Sequence, residues 1–260
     1  MSDKAVEMKH VSYSYPDTTE ALRDVTIDIF AGESVGLIGP NGAGKSTLLL
    51  QLNGILKGKG CVKIFDTEVH DKNLRQVRKD VGLVFQDPDS QLFMPTVFDD
   101  VAFGPINMSL SEQKVKESVA EALRDVDMLD AAARSSHHLS FGEKKRVSIA
   151  TVLSMNPRIL VLDEPSSNLD PKHRRELIHF LRDLSITKII ATHDLDLVWQ
   201  ICSRVVLIDK GRIAAEGSTL DILANASLLE RHGLEMPPSI IKAGQIFEGT
   251  RQIENHTATI

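Results

Sequence analysis

Eight consecutive residues constrain this chain more than any other feature. Gly39-Pro40-Asn41-Gly42-Ala43-Gly44-Lys45-Ser46 fits the pattern G-x-x-x-x-G-K-[ST], with an apolar strand pattern at Ser34–Ile38 before it and a helical run, Thr47–Leu56, after it. Glycines let main-chain N–H groups turn inward around phosphate oxygens. The helix that follows aims its positive end at the same point. Lys45 in this setting reaches the β- and γ-phosphates of a nucleotide, and the Ser46 hydroxyl is a ligand for Mg²⁺. Thr47, the next residue, belongs to the same phosphate-binding set.

A strand that feeds a turn and then a helix implies an α/β chain, and the remaining pattern agrees. Short Val- and Ile-rich runs at Val25–Phe30, Val62–Phe65, Val81–Phe85, Ile159–Leu162, Lys188–Ala191 and Arg204–Ile208 alternate with helical patterns. The segment near Val6–Tyr15, Val25–Phe30 and Ser34–Ile38 read together as an antiparallel patch. Asp209-Lys210-Gly211 reads as a hairpin turn. From about 87 to 138 the strand signal disappears, and Ser109-Leu110-Ser111-Glu112 has the spacing of a capping box that opens a helix to about Val126. The expected fold is a phosphate-loop NTPase core with an antiparallel β patch, an inserted all-helical subdomain and a short C-terminal extension.

The second chemical feature is Arg158-Ile159-Leu160-Val161-Leu162-Asp163-Glu164, an apolar strand with two acids at its carboxyl end. Ligands of open parallel sheets bind outside the carboxyl ends of the strands. Asp163 is therefore the candidate to hold Mg²⁺, through water, and Glu164 the candidate base for an attacking water. Lys188–Ala191 ends in Thr192-His193-Asp194, which brings His193 to the same sheet edge as a sensor of the γ-phosphate. His137 and His138 have no partner at metal-ligand spacing.

Composition excludes some partners. A net charge of -6 argues against nucleic acid. The densest basic cluster, Lys144-Lys145-Arg146, reads as a solvated helix face. Cys61 and Cys202 both lie in apolar stretches and read as reduced thiols of a cytosolic protein. No run approaches the ~20 apolar residues of a membrane span, and no apolar signal region follows Met1-Ser2-Asp3-Lys4. Any membrane-embedded part is thus expected from another chain.

Leu139-Ser140-Phe141-Gly142-Glu143 resembles the signature of ATP-binding-cassette ATPases, and it lies between the phosphate loop and the acidic strand as in that family. Further matches occur in order. Tyr15 is similar to the aromatic that stacks on adenine, although Tyr13 competes for that role. Gln86 is similar to the glutamine that touches Mg²⁺ and reports to a transmembrane partner. Ser166-Ser167-Asn168-Leu169-Asp170 resembles the loop that crosses the dimer interface, where Asp170 before Pro171 is also a good helix cap. His193 resembles the switch histidine. The cassette spans 1–235, with the helical subdomain inserted at about 87–157 and a tail at 236–260.

The resemblance implies ATP hydrolysis by water activated by Glu164, with Mg²⁺ held by Ser46, Gln86 and Asp163. It also implies a composite site in a dimer, expected as a homodimer, where Ser140, Gly142 and Glu143 of one subunit face the nucleotide of the other. Phe141 and Glu143 depart from the commoner glycine and glutamine. Phe141 looks like cobalt and nickel importers of the energy-coupling-factor type, as does Gly233-Leu234-Glu235-Met236-Pro237-Pro238. The run Phe85–Phe93, with Thr96-Val97 and Val101–Gly104, resembles the same branch. There it forms a groove for a coupling helix, and exposed Leu92, Phe93 and Met94 suit that contact. Implied partners are a second ATP-binding subunit, a transmembrane scaffold protein and a substrate-binding integral membrane protein, at the cytoplasmic face of the cell membrane. The cargo expected is cobalt or nickel, with vitamins next. A non-transport cassette acting on DNA or ribosomes lacks support in this sequence, which has no heptad run and a single cassette.

Overall fold

The computed structural model describes residues 3–241. In chain order the strands are β1 (Lys4–Ser14), β2 (Glu20–Phe30), β3 (Ser34–Ile38), β4 (Lys59–Ile64), β5 (Thr67–Glu68), β6 (Val81–Val84), β7 (Ile159–Asp163), β8 (Thr187–Ala191), β9 (Arg204–Asp209) and β10 (Arg212–Ser218). The helices are α1 (Lys45–Leu52), α2 (Leu74–Asp80), α3 (Val97–Asn107), α4 (Glu112–Asp125), α5 (Phe141–Leu153), α6 (Pro171–Asp183), α7 (Leu195–Ile201), α8 (Thr219–Leu223) and α9 (Ala226–Arg231).

The central sheet has the order β10-β9-β3-β8-β7-β6. Its members β9, β3, β8, β7 and β6 run parallel, and β10 closes one edge antiparallel across the predicted hairpin at Lys210-Gly211. Parallel strands buried on both faces show unbroken apolar runs, and alternate residues serve different cores. Leu160 and Leu162 of β7 join a cluster with the helices that follow, whereas Ile159 and Val161 face a second cluster shared with α1 and the antiparallel sheet. Burying such side chains stabilises by about 1.5–3 kcal/mol each.

The antiparallel patch contains β2-β1-β4-β5. β3 is not part of it, contrary to the sequence reading. It pairs in parallel with β8 and β9 at the centre of the main sheet, because both of its faces are apolar (Val35 and Leu37 on one, Ile38 on the other) and an outer sheet offers only one dry face.

Between β6 and β7 the described chain is entirely helical or turn, as expected. The predicted capping box does not form. Ser109 adopts φ 63° in a turn, and Ser111 caps α4 by accepting a hydrogen bond from Lys114 N. Leu92 is buried in the subdomain core rather than exposed, whereas Phe93 and Phe103 are exposed and stack edge to face at 5.1 Å. Asp100 fixes the intervening loop, its Oδ1 accepting from Phe93 N and Met94 N at 2.9 Å each. Cys202 is buried, and burial pushes its thiol up to about 12; Cys61 is partly buried on β4. Packing onto the main core continues through Met236 and Ile240, and the rest of the predicted tail lies outside the described residues. Among the described residues no helix is long and apolar enough to cross a membrane.

Candidate active site

The loop between β3 and α1 owes its shape to its glycines. Gly39 has φ 151°, and a Cβ there would sit 2.1 Å from Ile208 O. Gly44 caps α1 at φ 109°, where a Cβ would meet Ala21 O at 2.6 Å. Neither position accepts another side chain without moving the backbone. Lys45 is buried and its Nζ donates to Gly39 O at 2.7 Å and Pro40 O at 3.1 Å, which draws the ammonium across the mouth of the loop. Burial pushes that ammonium down, and the carboxylates of Glu164 and Asp163 pull it back. Tyr15, half-exposed, joins the same edge. Its hydroxyl shares a 2.9 Å hydrogen bond with Thr47 Oγ1, and its ring stands edge-on to Tyr13 at 5.1 Å.

Asp163 ends β7 beside this loop. Burial pushes its carboxyl up, a hydrogen bond from Ser46 opposes the rise, and the Glu164 carboxylate adds to it. Its Oδ1 is buried without a hydrogen-bond partner. The Ser46 hydroxyl beside a carboxylate that keeps one buried oxygen unpaired is a donor set suited to Mg²⁺, which prefers few protein oxygens completed by phosphates and water. Gln86 follows β6, the strand next to β7.

Glu164 is 7% exposed and its backbone sits in the left-handed region at φ 45°. Such a conformation costs a non-glycine residue about 1–3 kcal/mol and persists only where neighbours enforce it. Here Glu164 N donates to Ala191 O at 2.8 Å, Thr192 Oγ1 donates to Oε2 at 3.0 Å, and His193 Nδ1 lies 2.8 Å from Oε2. The carboxylate is thereby held between β7 and β8 with the mostly exposed imidazole at its outer side. Sequence reasoning found Glu164 and His193 but not Thr192, which carries the third contact. Its place immediately before His193 at a strand end was the available signal.

A second network underlies the loop after β7. Arg174 of α6 forms two bonds of 2.6 Å with Asp194, and Ser166 Oγ donates to Asp194 Oδ2 at 2.9 Å. Burial pushes the Asp194 carboxyl up, but Arg174 and the Leu197 N–H outweigh it and hold the group below its usual value. Arg174→Met is expected to lower stability at pH 7 by about 2 kcal/mol, less than for a fully buried pair because the arginine side chain is 28% exposed. Because the folded carboxyl titrates below its unfolded value, the contribution is present above about pH 4 and lost as pH falls through the folded value. Urea midpoints of both proteins should therefore converge in acid.

The signature lies at the amino end of α5. Ser140 is the N-cap: its Oγ accepts from Glu143 N, and Glu143 Oε2 accepts from Ser140 N at 2.7 Å, a complete capping box. Glu143 Oε1 also pairs with Arg134 at 3.1 Å. The Ser140 N–H and the Arg134 pair hold this carboxyl below its usual value. Gly142 faces the ring of His173 on α6, and His173 in turn bonds Asp170 at 2.6 Å. These neighbours differ from those of the phosphate loop, Ala21 and Ile208. Lys145 departs from the solvated face predicted for it. It is 1% exposed, its Nζ donates to Gln86 O at 2.6 Å and Phe85 O at 3.3 Å, and burial pushes its ammonium down to about 8. A three-residue basic run spans most of a helical turn, so one of its members must point inward on a helix that packs against the core.

Comparison with known proteins agrees with this fold. The ABC transporter family model matches residues 22–167. The energy-coupling factor transporter ATP-binding protein EcfA of Methanothermobacter thermautotrophicus is 49% identical over 238 residues, covering 89% of this chain and 76% of the relative. The solved structure of cbiO1 from Clostridium perfringens, described as part of the ABC transporter complex cbiONQ, is 38% identical with a TM-score of 0.77, covering 88% of this chain and 94% of the other. A dimeric post-hydrolysis structure of the ATP-binding cassette MJ0796 with ADP and Pi is 27% identical with a TM-score of 0.74, covering 82% and 98%. The chain belongs to the ABC transporter family. Within it, this is an ATPase of the energy-coupling-factor type.

Proposed function

We propose that this chain is the ATP-hydrolysing subunit of an energy-coupling-factor importer for cobalt or nickel ions. It works as a homodimer bound peripherally at the cytoplasmic face of the cell membrane. The observation that carries the catalytic part is Glu164, buried and oriented by Thr192 and His193 beside Asp163 and Lys45. In this reading Tyr15 stacks on adenine, and Gly39 to Gly44 with Lys45, Ser46 and Thr47 hold the phosphates. Glu164 accepts the proton of the attacking water, and His193 steadies that carboxylate and meets the γ-phosphate. Ser46, Gln86 and Asp163 would hold Mg²⁺, which when bound offsets negative charge on the phosphate oxygens. Ser140 and the Gly142 N–H of a second copy complete the γ-phosphate cage at the amino end of α5. Glu143 serves the second copy indirectly, because its carboxylate is engaged by Ser140 N and Arg134.

The importer part is supported by a groove of about 1200 Å³ between α2 and the helical subdomain, floored by Leu83, Phe85 and Met155 and lipped by Phe93 and Phe103. The likeness to cbiO1, part of a cbiONQ transporter complex, and Phe141 in the signature support the metal-ion cargo. The test is capture of the tagged chain from gently solubilised native membranes. A transmembrane scaffold and a small integral membrane protein should co-purify, and Phe103→Asp should lose both while retaining ATP binding. A small protein of the vitamin-binding kind would move the cargo to vitamins. Ribosomal or DNA-bound proteins without a membrane partner would sink the importer reading.

A further inference from the structure

The segment from Phe85 to Gln91, which carries Gln86, is fastened at three points to the helix behind it. At its outer side Lys144 Nζ pairs with Asp89 at 2.6 Å. At its far end Gln91 bridges the two elements: its Oε1 accepts from Phe85 N at 3.1 Å, and its Nε2 donates to Ser148 O and Thr151 Oγ1 at 2.8 and 2.7 Å. Between them Lys145 enters the interior, and its ammonium donates to the two carbonyls that flank the start of the segment, those of Phe85 and Gln86. The carboxylates of Asp163, Asp87 and Glu164 supply a negative field around it. Apart from the Phe85–Gln91 bond inside the segment, each of these hydrogen bonds and ion pairs comes from α5 or reaches it. Ser140 caps that same helix five residues before Lys145, about 7.5 Å along the axis.

Burying an ammonium is unfavourable unless acceptors meet it, so a lysine at 1% exposure marks a place where its bonds are wanted. A leucine or methionine would fill the same space. Beside it, the first turns of α5 leave a gap toward α6: a cavity of about 320 Å³ opens between Gly142, Lys145 and Arg146 of α5 and His173, Leu177 and Phe180 of α6, while Val147, Ile149 and Ala150 stay packed in the core. The signature helix therefore has room to shift against α6 while its grip on the Gln86 segment is direct and polar.

We propose that Lys145 is a positioning residue for hydrolysis, locking the Gln86 peptide to the signature helix so that the two move as one body. The signature of a subunit serves the second copy's nucleotide, while Gln86 serves its own. Lys145 thus ties a subunit's own site to the one it completes across the dimer. This rests on the role given to Gln86 and on the composite site above.

The test is steady-state ATP turnover by phosphate release from the purified full-length chain with Mg²⁺. Lys145→Met should lower kcat about 10-fold with little change in KM for ATP, as for loss of an orienting contact behind a working group. Lys145→Gln, whose amide still donates to one carbonyl, should recover part of the loss. If Lys145 acts through Gln86, Lys145→Met added to Gln86→Ala should cost no more than about twofold further, since coupled sites are non-additive. Losses that multiply, a rise in KM alone, or unchanged kcat would overturn the proposal. Unchanged kcat in Gln86→Ala itself would instead remove the role given to Gln86, and the latch with it. Should Lys145→Met melt during purification, Lys145→Gln takes its place in the same cycle: a smaller single loss that does not multiply with Gln86→Ala supports the latch, and one that multiplies overturns it.

Discussion

Replacing Glu164 with glutamine is expected to leave ATP binding intact and to lower turnover roughly 100- to 10,000-fold. The amide retains the size of the carboxylate, and its oxygen can still accept from Thr192 Oγ1, which donates at 3.0 Å in the wild type. It cannot take a proton from water. Because binding survives and hydrolysis does not, the variant should also accumulate as an ATP-bound dimer, visible by size-exclusion chromatography with Mg-ATP. Turnover within a factor of a few of wild type would reassign the base, with His193 the next group in line at 2.8 Å from the same oxygen.

The second large effect tests whether one chain holds a whole site. Lys45→Ala should abolish turnover by removing the charge that faces the phosphates, and Ser140→Arg should abolish it by blocking the amino end of α5. Mixed in equal amounts, the two inactive proteins should regain activity. A mixed dimer pairs the intact phosphate loop of the Ser140→Arg chain with the intact signature of the Lys45→Ala chain, giving one competent site. With random pairing about half the dimers are mixed, so activity should return to roughly a quarter of wild type if the sites act independently, and to less if they are coupled. No recovery over the two separate proteins would confine the chemistry to single subunits and remove the need for a dimer.

How much of the molecule is legible in its sequence varies with the kind of signal. The phosphate loop, the acidic strand end and His193 can be read because each is a local pattern tied to a sheet edge, and the sheet follows from runs of apolar residues. The placement of β3 cannot be read from its neighbours in sequence. Its partners β8 and β9 lie far away in sequence, pairing Ser34 with Lys188 and Val35 with Arg204, and are chosen by two-sided burial. Ser111 displaces Ser109 as helix cap because two serines two apart offer alternative starts, and the turn at Ser109 absorbs the first. Thr192 and Lys145 escape a reading of the sequence for a shared reason. Each acts by where its side chain ends in space, on Glu164 and on the Gln86 carbonyl, and composition weighs a residue only by its type. The strained backbone of Glu164 leaves no trace in sequence at all.

The lip of the groove has a consequence for the life of the protein before assembly. Phe93 and Phe103 on the lip are 62% and 45% exposed, and Ile106, one turn further along α3, is 60% exposed. Apolar area of this kind is stable in company and adhesive in isolation. On the importer reading, copies made in excess of the proposed membrane partners are therefore expected to be the ones that clump or are cleared, and a cell gains by making this chain in step with them. In the laboratory, co-expression with those partners should yield the longer-lived preparation, and the orphan subunit the shorter.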